Sequence, residues 1–262
     1  MVRDKVRMRF RKDGALRFVS HHDLMRCFER MLRRAELPFH STQGYNPKPR
    51  LVFALSLALG VVGRCEVVEL ELDEELPTNE IHDRLSQQAP EGLTILEVRR
   101  VAPQAKARVR RVCYEIPLPF NLRGGLRERL DALLGAPQCW VERQRPEPRR
   151  VDIRPYFRGF HLHSDALELD LWVTPNGSAR PNEIVTILGL KHLLEDGAVL
   201  ERTTLELFDE CVPEGDPEAP ACSAAATGPL PAQSHLLADN CSAATNSLVA
   251  MAVPAPQPER YT

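Results

Sequence analysis

A serine, two histidines and an aspartate lie close together near the start of the chain, in the segment RFVSHHDLMR at residues 17–26. Ser20 followed three residues later by Asp23 is typical of a helix start, which places His21 and His22 in the first turn. A helix N-terminus presents free N–H donors and a positive dipole end, so it favours phosphate. An imidazole there can donate to a phosphate oxygen or act as a general acid or base. The alternative is that Ser20 and Asp23 only cap the helix and that both histidines are surface residues.

Arginines continue from this segment at helical spacing. Arg26, Arg30 and then Arg33 or Arg34 recur every three or four residues, which predicts a cationic row along one helix face.

The loop after that helix, STQGYNPKPR at residues 41–50, combines an aromatic ring, amides and cations. Its glycine permits positive φ and its prolines make the chain stiff and extended. Tyr45 can stack on a nucleic-acid base, while Gln43, Asn46 and Lys48 can contact the base edge and the backbone. An ordinary glycine- and proline-rich connection is the alternative.

A third cationic stretch has no acidic residue between Glu97 and Glu115 and holds Arg99, Arg100, Lys106, Arg108, Arg110 and Arg111. It falls at the predicted junction of two units, where a groove would form. A solubilising linker explains the same charges equally well.

Sequence motifs for metals and nucleotides are weak. There is no Cys-x₃-Cys-x₂-Cys, no Cys-x₂-Cys pair, no Walker A loop and no Gly-x-Gly-x-x-Gly. His161 and His163 alternate as in a strand and could ligate a metal, but no third ligand is identifiable, so packing is the favoured interpretation. We therefore predict no metal site and no cofactor.

The charge distribution indicates a polyanionic partner. The net charge of the 262 residues is −2, yet residues 1–50 carry 13 basic against 5 acidic residues, and residues 209–262 carry 1 against 7. A basic N-terminal part suits a polyanion, although a solvated charged surface gives the same count.

Composition and cysteine usage predict a cytoplasmic protein without membrane contact. No apolar run reaches the length of about 18 residues needed to span a bilayer, and the N-terminus lacks an apolar signal core. Seven scattered cysteines suggest reduced thiols rather than a disulfide framework.

Alternating and helical hydrophobic patterns predict the elements that position these residues. Residues 5–11 alternate, which predicts a half-buried strand whose outer face carries Lys5, Arg7, Arg9 and Arg11. Further strands are predicted at 51–59, 66–72 and 93–101, with helices that begin at Ser20 and Thr78. This βαββαβ order is the ferredoxin-like arrangement.

The second half repeats the order with weaker signals. Strands are predicted at 112–118, 139–144, 167–173 and 199–208, a short extra strand at 151–153, and helices at 126–134 and 182–190. The predicted fold class is α+β, with tandem ferredoxin-like units at 1–103 and 104–208 and a disordered, Ala/Pro-rich acidic tail at 209–262.

Residues 17–66 resemble a bacterial family of unknown function, the radical SAM-linked or radical SAM-associated proteins. The resemblance is carried by RF-x-SH-x-DL-x-R at 17–26, S-x-QGYNP-x-P at 41–49, FA at 53–54 and LG at 59–60. Tyr45 stands where phenylalanine is usual, and Ala58 where proline is expected. Family members are fused behind a radical SAM enzyme domain or encoded separately with one. The resemblance to the separate form implies a radical SAM enzyme as partner.

Three functions are compatible with these features. The leading hypothesis is an accessory module that binds RNA and presents substrate to the radical SAM enzyme. The residues expected to bind nucleic acid are Arg7, Arg9, Arg17, Ser20, His21, Asp23, Arg26, Arg30, Gln43, Tyr45, Asn46 and Lys48. The second is a metal-independent endoribonuclease with His21 as a catalytic residue, since tandem ferredoxin-like units resemble RNA-processing nucleases. The third is a protein adaptor for the radical SAM partner.

Overall fold

Alternation of apolar and basic residues forms the first strand, β1 (Asp4–Lys12), in a computed structural model of the chain that describes residues 4–45, 47–144 and 146–210. Val6, Met8 and Phe10 point to one side of this strand and are fully buried. They face helix α1 (His21–Arg34), whose Leu24, Phe28, Met31 and Leu32 recur every three or four residues and are buried.

The first half is a four-stranded antiparallel arrangement covered by helices on one face. It adds strands β2 (Leu51–Phe53), β3 (Val62–Leu72) and β4 (Leu93–Arg100), and helix α2 (Thr78–Gln88). The strand order is β4-β1-β3-β2, with every neighbouring pair antiparallel. Ile81 and Leu85 of α2 complete the core beneath α1.

The second half has the same strand order in its own sheet region. Its strands are β5 (Val109–Pro117), β6 (Trp140–Arg143), β7 (Arg149–Asp152), β8 (Phe157–Leu162), β9 (Ala166–Thr174), β10 (Gly177–Ser178) and β11 (Glu201–Leu207), and its helices are α3 (Leu126–Gly135), α4 (Pro181–Ile187) and α5 (Lys191–Glu195). The order is β11-β5-β9-β8, all antiparallel, while β6 and β7 form a separate hairpin.

The two halves share one sheet but keep separate cores. β11 lies parallel to β3 through two residue pairs, Glu201 with Val62 and Arg202 with Gly63, which makes a nine-stranded sheet. The core of the first half lies between β1, β3 and the helices α1 and α2. The second core is built mainly on β5, β9 and β11.

The predicted helices and strands of the first half are confirmed except for one strand. The helix after Ser20 is confirmed, and Ser20 is its N-cap. The predicted strand at 51–59 is wrong beyond Phe53. Carbonyl oxygens of Leu55 and Ser56 accept hydrogen bonds from Arg202 at 3.3 Å, so this part of the chain leaves the sheet.

The second half differs more from its prediction. The segment at 139–144 does not enter the large sheet, because β6 pairs with β7 instead. One of the strands that pair with β9 is β8, and this strand was not predicted. The helix expected at 182–190 is α4, which ends at Ile187, shortly before Gly189 with its φ of +71°; a second short helix, α5, follows outside the predicted range.

The mixed α+β class is confirmed, with a large and mostly antiparallel sheet. Tandem ferredoxin-like units and their boundaries stay predictions. Of the predicted tail, 211–262 lies outside the described residues, whereas Asp209 and Glu210 form a 3₁₀ turn (Phe208–Glu210) directly after β11.

Candidate functional site

The start of α1 is capped by the chain itself. Ser20 Oγ accepts a hydrogen bond from the Asp23 N–H at 3.2 Å and donates one to the Asp23 carboxylate at 2.7 Å. Arg26 in turn donates to Asp23 at 3.3 Å. The Asp23 carboxylate therefore supplies negative charge at the positive end of the helix dipole.

His21 packs into the joint between α1 and β2. Its ring lies edge-on to Phe53, with 5.2 Å between the ring centroids. Burial lowers the pKa of His21 from its ordinary value, and the nearby charges of His22 and Lys12 lower it further. At neutral pH this imidazole is uncharged, so it offers a hydrogen bond but no positive charge to a phosphate.

The predicted cationic row is present on the outer face of α1. Arg26, Arg30 and Arg33 are all exposed, opposite the buried Phe28 side of the helix. Arg33 donates to the Pro47 carbonyl at 3.3 Å. The row therefore continues directly into the loop at 41–50.

Hydrogen bonds join the two ends of that loop, and the residues at its tip are exposed to solvent. The Thr42 N–H donates to the Lys48 carbonyl at 2.8 Å, and the Lys48 N–H donates to Thr42 Oγ1 at 3.2 Å. Tyr45 near the tip is fully exposed, and Gln43 and Lys48 are exposed beside it. Asn46 lies outside the described residues. The structure thus brings Gln43, Tyr45 and Lys48 next to the C-terminal end of the arginine row.

Arg17 lies in the 3₁₀ turn (Gly14–Phe18) before α1. Its guanidinium sits 4.5 Å from the centroid of the exposed Phe18 ring, and its carbonyl accepts a hydrogen bond from Gly60 at 2.9 Å. The turn therefore links the start of α1 to the segment before β3.

The expected cationic outer face of β1 is wrong for Lys5, Arg7 and Arg9, which are buried. Their partners are carboxylates far away along the chain. Glu69 of β3 accepts from Arg7 at 2.8 Å and contacts Lys5 at 2.7 Å. Because these charges are paired inside the protein, Arg7 and Arg9 are not part of the exposed interface.

The 3₁₀ turn at the end of β11 supplies the other carboxylates. Asp209 accepts two hydrogen bonds from Arg7, at 2.8 and 2.9 Å, and Glu210 pairs with Arg7, Arg9 and Arg99. Burial by itself would lower the pKa of Arg7, but hydrogen bonds to Asp209 and Glu69 outweigh it and raise the pKa. The hydrogen bond from Arg7 lowers the pKa of Asp209.

The third cationic stretch is also largely paired. Arg100 binds Asp4 at 2.9 Å, and Arg111 binds Asp170 at 2.6 Å. Four of the six cations of this stretch are therefore held in ion pairs, and they do not form a row of free cations.

One group of potential metal ligands lies among the described residues and consists of Cys113, Glu168 and Asp170. Asp170 is buried, and both of its oxygens accept from Arg111, at 2.6 and 3.0 Å. Burial raises the pKa of Cys113 to about 12, so its thiol stays protonated. These features fit a buried ion pair better than a cation site. His163 contacts Glu168 at 3.3 Å.

A cleft of about 910 Å³ opens between the halves, but the cations at 99–111 that were expected to lie at a groove there do not line it. The segment 55–58 forms one wall, β6 and α4 form the other, and Tyr114 and Arg202 lie between them. Its buried arginines are paired: Arg202 with Glu66, and Arg143 with Glu183 at 2.7 Å. The residues that line the cleft are far apart in sequence, so no local sequence pattern could have identified them.

The fold defines a mixed α+β protein with exposed basic residues on one helix and an adjoining loop. Residues 5–181 match the family described as an uncharacterized protein conserved in bacteria (DUF2344), and the chain belongs to that family. The family description names no activity, so the radical SAM partner stays a prediction.

A similar solved structure is the crystal structure of an unknown protein from Galdieria sulphuraria. It is 16% identical, covers 78% of this chain and 98% of its own, and has a TM-score of 0.25. Comparison with curated proteins found no match. None of the helices in the described residues is long and apolar enough to cross a membrane.

Proposed function

We propose that the protein is an RNA-binding module that presents single-stranded RNA to a separate radical SAM enzyme. The exposed row Arg26, Arg30 and Arg33 binds consecutive phosphates, and Tyr45 stacks on a base. The observation that carries this proposal is the Arg33–Pro47 hydrogen bond, which joins the cationic row to the loop of Tyr45 and Lys48.

The dimensions of the surface suit a short strand. Seven residues of helix separate Arg26 from Arg33, which corresponds to about 10 Å along the axis. The three arginines are distributed over this length, so the row can contact up to three phosphates. Tyr45 lies beyond the last arginine of this row, where the next base can reach its exposed ring.

The strand orders support our assignment of both halves to the ferredoxin-like fold. β4-β1-β3-β2 and β11-β5-β9-β8 are the same order, each built on a βαββαβ sequence of main elements. We accordingly keep the boundary between the two units at residues 103 and 104 and extend the second unit from the predicted 208 to Glu210. The hairpin of β6 and β7 is then an insertion in the second unit.

Salt-dependent binding tests the proposal. Each phosphate contact that is lost reduces the number of counterions released on binding. The double variant Arg26→Ala with Arg30→Ala is therefore expected to bind labelled oligo(U) RNA more weakly than the wild type. The log–log salt slope should also fall by about 0.7 per contact. The matched control is Arg127→Ala with Arg149→Ala, which removes two exposed arginines from the second half. Equal effects of both double variants would show that only net charge matters.

Substitutions of Tyr45 test the stacking contact separately. Tyr45→Ala should cost about 1–3 kcal/mol of binding free energy with an unchanged salt slope, because stacking releases no counterions. Tyr45→Phe keeps the ring and should bind like the wild type. A similar loss for both variants would contradict stacking and favour a role for the hydroxyl group.

The alternative functions give different outcomes. A metal-independent nuclease would cleave the RNA, and His21→Ala would keep its affinity while cleavage is lost. A protein adaptor would show no salt-dependent RNA binding even at low ionic strength. In that case the α1 and loop surface would be assigned to docking the radical SAM partner.

A further inference from the structure

Three arginines on the sheet face opposite α1 converge on one side chain. Arg7 and Arg9 of β1 and Arg99 of β4 all pair with Glu210, and Arg7 also binds both oxygens of Asp209. Arg7 and Arg9 alternate along β1 with Met8 and Phe10, which face α1. The cluster is therefore separated from the α1 surface by the sheet.

The 3₁₀ turn supplies two of the carboxylates that face this cluster. Without Asp209 and Glu210, the four cations Lys5, Arg7, Arg9 and Arg99 would outnumber the remaining carboxylates, Glu69 and the more distant Glu97. The pKa of Arg99 lies below its ordinary value because it is partly buried and because Arg7 carries the same charge nearby. Such an excess of buried positive charge needs an anion.

Carboxylates of the chain itself act here as that anion. A guanidinium fork binds a phosphate in the same bidentate manner as a carboxylate, and a phosphate offers more acceptor oxygens. Asp209 is 44% exposed and the Arg99 side chain is 38% exposed, so the cluster borders solvent. A competing anion can approach from this side.

The turn that carries the carboxylates is a small element. It follows the last residue of β11, and the Phe208 N–H donates to the Arg108 carbonyl at 2.9 Å. The Arg108 guanidinium lies 5.3 Å from the Phe208 ring centroid. Moving the turn therefore disrupts few contacts besides those of the two carboxylates.

We propose that Arg7, Arg9 and Arg99 form a phosphate-binding site, which the Asp209 and Glu210 carboxylates occupy in this structure and which a phosphate-bearing polymer competes for. The inference rests on the proposed function for the identity of the polymer, RNA. The turn Phe208–Glu210 then limits RNA binding on the sheet face opposite α1.

Neutral carboxamides at the two positions test this site in the full chain. Asp209→Asn with Glu210→Gln keeps the shape and removes both charges. We expect tighter binding of labelled oligo(U) RNA by at least fivefold at low salt. We also expect a salt slope that is steeper by about 0.7 for each phosphate gained. Adding Arg99→Ala should abolish most of the gain.

The matched control is Glu128→Gln with Asp131→Asn, which removes two exposed carboxylates from α3. An equal gain in this control, or no gain in a folded Asp209→Asn and Glu210→Gln variant, would overturn the proposal. If the double variant is unfolded at the assay temperature, Glu210→Gln alone decides. It retains the Arg7–Asp209 pair and should still bind RNA more tightly if the site exists.

Combination with the α1 variant separates this inference from the proposed function. If Arg26→Ala with Arg30→Ala weakens wild-type binding but the carboxamides give no gain, only the present inference fails. If the carboxamides give an Arg99-dependent gain while the α1 variant has no effect, the proposed α1 surface fails and this site stands.

Discussion

At the scale of single residues, the environment of His21 decides which role its imidazole can have. The ring packs against Phe53 at the joint of α1 and β2, and burial lowers its pKa. A neutral imidazole suits a general base or a hydrogen-bond donor better than a phosphate-binding cation. His21 therefore contributes to the interface mainly by fixing the position of β2 beside α1.

The pH dependence of folding tests this environment. The folded pKa of His21 lies below its unfolded value near 6.5, so the unfolded chain takes up the proton first as pH falls. The contribution of the neutral His21 side chain to the free energy of unfolding is complete above about pH 6.5. This contribution is lost as the pH decreases through the folded pKa. The loss of unfolding free energy between pH 7 and pH 5, measured in urea, should be smaller for His21→Gln than for wild type. Identical losses would contradict a lowered pKa.

The arginines of β1 and α1 show what a local pattern can and cannot predict. Alternation correctly placed Val6, Met8 and Phe10 in the core, and helical spacing correctly placed Arg26 and Arg30 on a surface. The same alternation put Arg7 on an outer face but could not reveal its partners. Glu69 and Asp209 lie 62 and 202 residues away, and pairing over such distances is not encoded in a local pattern.

At the scale of elements, the 3₁₀ turn after β11 shows that the stable unit includes residues beyond Phe208. The sequence predicted a disordered tail from residue 209 onward. Asp209 and Glu210 instead neutralise two buried arginines. The stable unit therefore includes Asp209 and Glu210 and does not end at Phe208.

Two truncated chains test this boundary. A chain ending at Phe208 leaves Arg7 and Arg9 without these carboxylates, and removing one partner of a buried pair costs about 3–5 kcal/mol. At roughly 2–4 °C per kcal/mol, with allowance for the partly exposed Asp209, Tm should fall by about 5–15 °C. A chain ending at Glu210 is the control and should lose far less. Equal melting temperatures would show that the turn does not stabilise the fold.

The element predictions failed where side chains or bulges override alternation. Residues 54–59 are apolar enough for a strand, yet Arg202 takes carbonyl oxygens there that a strand would use for pairing. In β8 the pairing with β9 shifts between Phe157 and Gly159. Such a bulge breaks the two-residue period, so the strand was not recognised.

At the scale of the whole molecule, buried ion pairs lie on both faces of the joint between the halves. Glu66 is paired in register with Phe10 and so lies on the helix side of the sheet, where it binds Arg202 of β11. Glu69 is in register with Arg7 and lies on the opposite side, beside Asp209 and Glu210. Part of the basic excess at the N-terminus is therefore balanced internally, and only the remainder is available to a polyanion.

The Glu66–Arg202 pair should be a major stabilising contact of this joint. Arg202 is buried and donates from Nε to Glu66 at 2.8 Å, with the Tyr114 hydroxyl at 3.4 Å. Arg202→Met removes the hydrogen-bonded partner of the buried Glu66 carboxylate and leaves only the charge of the nearby Lys12, which should lower the free energy of unfolding by up to about 3–5 kcal/mol. Glu66→Leu with Arg202→Met removes both charges and should recover most of that loss. Equilibrium unfolding in urea measures both effects.

The neighbouring Arg64–Glu201 pair provides the control for that prediction. It bridges the same two strands at 2.6 Å, but its side chains are 41% and 25% exposed. Because solvent screens such pairs, Arg64→Ala should cost less than about 1 kcal/mol. If Arg202→Met costs no more than Arg64→Ala, the halves are held together by the two residue pairs between β11 and β3 and by apolar contacts. A large difference, reversed in the double variant, would establish that the buried pair fixes how β11 meets β3.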